Sequence, residues 1–158
     1  MDPTSDLREC LACLCFAVRK AARAITQHYD RTLRPSGLRG TQFTVLVVLA
    51  LGGKKPLGQV AEALGTERTT LTRNLRPLIA RGLVTIASHR DARIQLLEVT
   101  PKGVRAARAA LPLWREAQRS ISGFFTPVAL RSLESATQAA SRARSAGSRR
   151  STGQRREG

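Results

Sequence analysis

The stretch "LGQVAEALGTERTTLTRNLRPLIARGLV", Leu57 to Val84, decides how the rest of the chain is read. It predicts a short helix over Leu57–Leu64, a turn at "GTE" with Gly65 at its corner, and a second helix from about Arg68 to Arg81. Thr66 is placed to cap the second helix. Two helices joined by a three- or four-residue turn containing glycine have the spacing of a helix-turn-helix. Pro77 lies about nine residues into the second helix. It removes a backbone donor, so a kink or an early end of the last turn is expected there. Gly82 closes the helix.

Downstream, "LVTIAS" (Leu83–Ser88) and "RIQLLEV" (Arg93–Val99) are rich in β-branched and aliphatic residues, with the turn-prone "HRDA" between them. This predicts a two-stranded antiparallel ribbon, a wing. Thr100 followed by Pro101 reads as an N-cap with proline at the first helical position. A long helix is expected from there to about Gly123, with a kink at Pro112, and a last helix over about Pro127–Ala140. Upstream, Leu7–Leu33 contains neither Gly nor Pro. Its apolar positions Leu11, Leu14, Cys15, Val18, Ala22, Ile25 and Tyr29 recur mostly every three or four residues, one face of a long amphipathic helix. "RPSG" (Arg34–Gly37) ends it. Thr41 reads as the N-cap of a mostly buried helix, Gln42 to about Leu51, which "GGKKP" breaks. No internal repeat is found.

These pieces compose a mainly α fold: a winged helix-turn-helix with long N- and C-terminal helices. Residues 1–33 and 101–140 form the helical ends, 34–100 the winged region and 141–158 a basic tail expected to be disordered. The ends are apolar on one face and far apart in sequence. That suits a dimer interface, as a reader of palindromic DNA requires, although the same faces can pack on each other within one chain.

Charge points to the partner. Lys+Arg number 27 against 11 Asp+Glu, a net of +16. The tail carries six arginines and one glutamate, +5, which leaves +11 on the body. Such a chain seeks polyanions, with nucleic acid the first candidate. No apolar run reaches the roughly 18–20 residues of a membrane span. The polar, acidic start "MDPTSDLRE" does not read as a secretory signal, so a cytoplasmic, reducing location is expected, where clustered cysteines are rarely structural disulfides. Catalysis finds no support. The two histidines, His28 and His89, lie in different elements, and neither a nucleophile–base arrangement nor a Gly-rich phosphate loop is present.

The order of these elements, with the quoted helix-turn-helix followed by "HRDARIQLLEVTPKG" (His89–Gly103), resembles the MarR family of bacterial transcription regulators over roughly Cys10–Ala140. The Asp-x-Arg of the wing, Asp91 and Arg93, with Thr100 and Gly103 after it, is the most specific part. The resemblance implies a triangular homodimer with its terminal helices at the interface, bound to a pseudo-palindromic operator on double-stranded DNA. It further implies repression relieved by a small-molecule effector or an oxidant. The alternative is a non-specific architectural DNA-binding protein, favoured by the tail and the bulk charge.

The residues agree with a DNA reader. Arg68, Thr69, Thr70 and Arg73 occupy the first turns of the second helix, which would face base edges in a major groove. Arg73 can fork onto a guanine, and Thr69 or Thr70 can meet a phosphate or a thymine methyl. Arg93 would enter a narrow minor groove, braced by Asp91. Arg90 and His89 are secondary backbone contacts, as are Lys54 and Lys55 unless simply solvated.

All three cysteines, Cys10, Cys13 and Cys15, stand near the N-terminus. A tetrahedral metal would need ligands from elsewhere in the chain, and no matching pair exists, so neither metal nor cofactor is expected. "LCFAVRKAARAITQHY" is similar to the first helix of the organic-hydroperoxide sensors of the MarR family, where an oxidisable cysteine is stabilised as thiolate by tyrosines. Cys15 and Tyr29 match that pattern. They are 14 residues apart, about 21 Å along one helix, so they can meet only across a dimer. The second tyrosine of that pattern is missing from "SGLRGTQF", and Arg19 replaces an aromatic residue. The competing reading makes Cys13 and Cys15 small apolar fillers.

Overall fold

The computed structural model describes residues 6–87, 94–123 and 126–153. A 3₁₀ segment, Asp6–Ala12, precedes α1 (Leu14–Leu33), and a 3₁₀ turn over Arg34–Ser36 leads to α2 (Gly40–Gly52). Then come β1 (Lys55–Pro56), α3 (Leu57–Ala63), α4 (Arg68–Ala80), β2 (Val84–Ala87), β3 (Leu96–Val99), α5 (Pro101–Ser122) and α6 (Pro127–Gly153). The chain forms two compact units, Met1–Ala117 and Gln118–Gly158.

The first helix is shorter than its apolar periodicity predicts. Cys13 is extended (φ −64°, ψ 122°) and is the N-cap of α1. A 3₁₀ segment also places residues i and i+3 together, so spacing alone does not separate it from an α-helix. The entry to α2 also differs: its N-cap is Arg39, not Thr41. The Asp30 Oδ1 accepts the Gly40 N–H at 2.7 Å, and the Gln42 Oε1 accepts the Arg39 N–H at 3.0 Å. Side chains outside the expected cap position thus satisfy amides that a helix start leaves open.

The core of the first unit is built around α2, whose Val45, Leu46 and Leu49 are fully covered. Leu71, Leu75 and Leu78 of α4 pack into the same cluster with Val60, Leu83 and Leu97. Each such leucine contributes about 1.5–3 kcal/mol of hydrophobic stabilisation, so α4 is held firmly along one side. Pro77 does not end α4: the helix continues to Ala80, and Gly82 (φ 66°) turns the chain out of it.

Among the described residues the sheet has three strands, where the sequence predicts two. Its order is β1-β3-β2, antiparallel throughout, with Val84 opposite Val99, Ala87 opposite Leu96 and Lys55 opposite Leu97. Two residues, one of them proline, carry no alternation to read, and proline is tolerated on an edge strand. The junction of sheet and α5 is tight. The Thr100 N–H donates to the Leu83 carbonyl at 3.0 Å, and the Thr100 hydroxyl donates to the Gly82 carbonyl at 2.7 Å while accepting the Gly103 N–H at 3.0 Å. Thr100 is thus the cap of α5, as its sequence predicts. Gly103 is buried, and a Cβ there would collide with the Leu83 carbonyl oxygen.

In the second unit the Thr126 hydroxyl caps α6, accepting the Ala129 N–H at 3.3 Å. Helical backbone continues past Ala140 to Gly153, into the segment expected to be disordered. Low apolar content forecasts poor burial, but Ala, Arg and Gln are strong helix formers regardless of burial. Among the described residues no helix is long and apolar enough to cross a membrane.

Candidate nucleic-acid interface

The turn before α4 is fixed by backbone geometry. Gly65 adopts φ +59°, a left-handed conformation suited to glycine, and the Thr66 N–H reaches back to the Ala61 carbonyl at 2.9 Å. The N-cap of α4 is Glu67, not Thr66. With Leu71, Leu75 and Leu78 buried, the opposite side of α4 is exposed by the helical repeat.

That side is cationic. Arg68, Thr69, Thr72, Arg73 and Arg76 line one concavity of about 400 Å³. Of the four residues the sequence singled out on this helix, Arg68, Thr69 and Arg73 converge there, while Thr70 is exposed outside the group. Thr72 and Arg76 join them. Their signal was the spacing 69, 72, 73, 76, an i, i+3, i+4, i+7 face that attention to the first turns alone missed. The Thr72 hydroxyl donates to the Arg68 carbonyl at 2.8 Å. No carboxylate forms an ion pair with these arginines among the described residues; the ion pair seen is Lys54–Glu98 at 3.2 Å, well away in sequence from the α4 face. Lys54 thus pairs with Glu98 of β3, with both side chains exposed.

Arg68 departs from its neighbours. It lies over Gly58 of α3, where a Cβ would stand 2.8 Å from one terminal nitrogen and 3.2 Å from both Cζ and Nε. The four-residue strands β2 and β3 carry the wing. His89, Arg90, Asp91 and Arg93 lie outside the described residues.

The thiols and the tyrosine lie elsewhere. Cys10, Cys13 and Cys15 are all exposed in the single chain, so Cys13 and Cys15 fill no space in its core. Cys15 is the second residue of α1, and Tyr29 is near the other end of that helix. Tyr29 is half-buried against the core, edge-on to His28 with ring centroids 6.0 Å apart, and burial raises its pKa above the usual 10.0. With Ile25, Thr26, Thr44 and Trp114 it lines a cavity of about 270 Å³. Among the described residues no group of three or more His, Cys, Asp or Glu is arranged to hold a metal ion.

Comparison with known proteins agrees with this geometry. Residues 36–94 match the MarR family model. The transcriptional regulator MosR of M. tuberculosis, solved in complex with DNA, is 42% identical, with 84% of this chain and 98% of that one covered at a TM-score of 0.77. BpsR of Bordetella bronchiseptica, whose DNA binding is regulated by 6-hydroxynicotinic acid, is 25% identical, with 82% and 93% covered and a TM-score of 0.68. The HTH-type transcriptional regulator MhqR of Bacillus subtilis is 28% identical over 92 residues, a match spanning 58% of this chain and 63% of that relative's length. On its winged-helix fold, its exposed cationic α4 and its identity to MosR over nearly all of that protein, this chain belongs to the MarR family of transcriptional regulators.

Proposed function

We propose that the chain is a homodimeric, sequence-specific DNA-binding regulator, a repressor, whose two α4 helices read the half-sites of a pseudo-palindromic operator. The observation that carries this reading is the exposed Arg/Thr face of α4, backed by three buried leucines. A rigid helix presenting forked donors and methyl groups matches the donor and acceptor pattern of a major groove. MosR, the 42% identical relative, was solved on DNA, which supports the same use here. Arg90 and Arg93 extend the contact through the wing, with Asp91 as the brace of Arg93.

Dimerisation is supported by exposed apolar side chains among the described residues. Leu11 and Leu14 are 73% and 75% exposed, and Val128 of α6 is 61% exposed. Burial of such residues against a second copy is the ordinary fate of apolar surface of this kind. Release from DNA is assigned to a small aromatic ligand in the Tyr29–Trp114 cavity, in keeping with the effector of BpsR. The exposure of Cys15 favours a second route, oxidation of its thiol, with Tyr29 of the other subunit as its partner.

The test is selection of binding duplexes from a random pool, with sedimentation of the complex. The reading predicts a pseudo-palindrome whose half-sites lie about one helical turn apart, bound by two chains. Recovery of unrelated sequences, or of a one-chain complex, would contradict it and favour the architectural alternative.

A further inference from the structure

We propose that Arg68 anchors a DNA phosphate instead of reading a base, and that Gly58 is the positioning residue that holds it there; this rests on the DNA-binding function proposed above. Arg68 is the first residue of α4, where a base reader would extend along the helix into the groove. Its guanidinium instead lies across α3. Three of its atoms come within 2.8–3.2 Å of the place a Gly58 Cβ would occupy, so the planar group rests on the bare Cα. Only glycine permits that approach.

The guanidinium has no ion-pair partner among the described residues. It borders a second cavity, of about 340 Å³, beside Gln59, Glu62 and Gln95. Arg68 therefore stands between this cavity and the α4 concavity, at the junction of the two helices. The first helix of a helix-turn-helix crosses the sugar–phosphate backbone while the second enters the groove. A cation held at their junction meets backbone, and a flat fork of donors matches phosphate oxygens. The Gln59 and Gln95 amides offer further donors. Glu62 on the same wall opposes an anion, which keeps this contact from becoming tight.

The two roles separate in experiment. A phosphate contact weakens all sequences alike and lowers the salt slope, whereas a base contact sets sequence preference. Fluorescence anisotropy would compare the wild type, Arg68→Ala, Gly58→Ala and the double variant on a duplex selected from a random pool and on a random duplex, across a salt series. Arg68→Ala is expected to weaken both duplexes by the same factor, about tenfold. The slope of log K against log salt should fall by about 0.9. Gly58→Ala should weaken both duplexes by the same factor, no more than Arg68→Ala does, with no fall in melting temperature, because alanine suits a helix better than glycine. The double variant should bind no worse than Arg68→Ala alone. A collapse of the selected-to-random ratio in Arg68→Ala would make it a base reader and overturn the proposal. Wild-type binding by a stably folded Gly58→Ala would overturn the role of Gly58. Absence of any preference in the wild type would instead sink the regulator reading, while the salt slope still tests the anchor.

Discussion

Replacing Gly103 by alanine tests the packing that joins the sheet to α5. The added Cβ would overlap the Leu83 carbonyl oxygen and stand 2.8 Å from Val99 Cγ2. Neither can move cheaply. The Leu83 carbonyl is backbone, already accepts the Thr100 N–H at 3.0 Å, and belongs to a residue 2% exposed. Overpacking a close-packed site costs about 1–3 kcal/mol and occasionally more, and losing the Thr100 bond adds about 1 kcal/mol. Alanine returns up to about 1 kcal/mol of helix propensity, less near a helix start. The net loss is therefore about 1–4 kcal/mol, a fall in melting temperature of roughly 2–16 °C for a chain of this length. Thermal unfolding followed by circular dichroism measures it. Gly58→Ala is the matched control, since the same substitution early in α3 meets only the movable tip of Arg68. Equal melting temperatures for Gly103→Ala and the wild type would refute the close approach on which this reasoning rests.

Other expectations follow from the same geometry. Arg73→Ala should lower affinity for the selected duplex by about 1–3 kcal/mol at one base position, read by competition binding, while leaving the melting temperature unchanged because the residue is exposed. The chain has one tyrosine, so absorbance at alkaline pH reports Tyr29 alone. Burial raises its pKa above 10.0; the folded state then holds its proton more tightly than the unfolded, and stability present below pH 10 should decline as pH rises through the folded value. Titration at or below 10.0 would contradict the partial burial of Tyr29. Mild organic peroxide should release the wild type from DNA but not Cys15→Ser; identical behaviour of the two would leave the cavity ligand as the signal.

The sequence revealed those parts of the fold whose cause is local. The turn at Gly65, the cap at Thr100 and the exit at Gly82 are each written in a few adjacent residues, and each stands where it was expected. What escaped depends on distant contacts. Asp30 caps α2 from ten residues away, so Thr41 seemed the better start. The strand Lys55–Pro56 exists because β3 runs beside it, not because of its own residues. At the interface, Arg73 and Thr69 could be placed from their position in the first turns of α4. The turn of Arg68 onto Gly58 could not, because it depends on the approach of α3 to α4.

The central claim is that α4 reads sequence. Its most direct test is the ratio of affinities for the selected duplex and for random DNA of equal length, measured with the full chain at one fixed salt concentration. The account predicts a preference of about 10³ or more. Equal affinity for the two would contradict it, leaving charge alone as the source of binding.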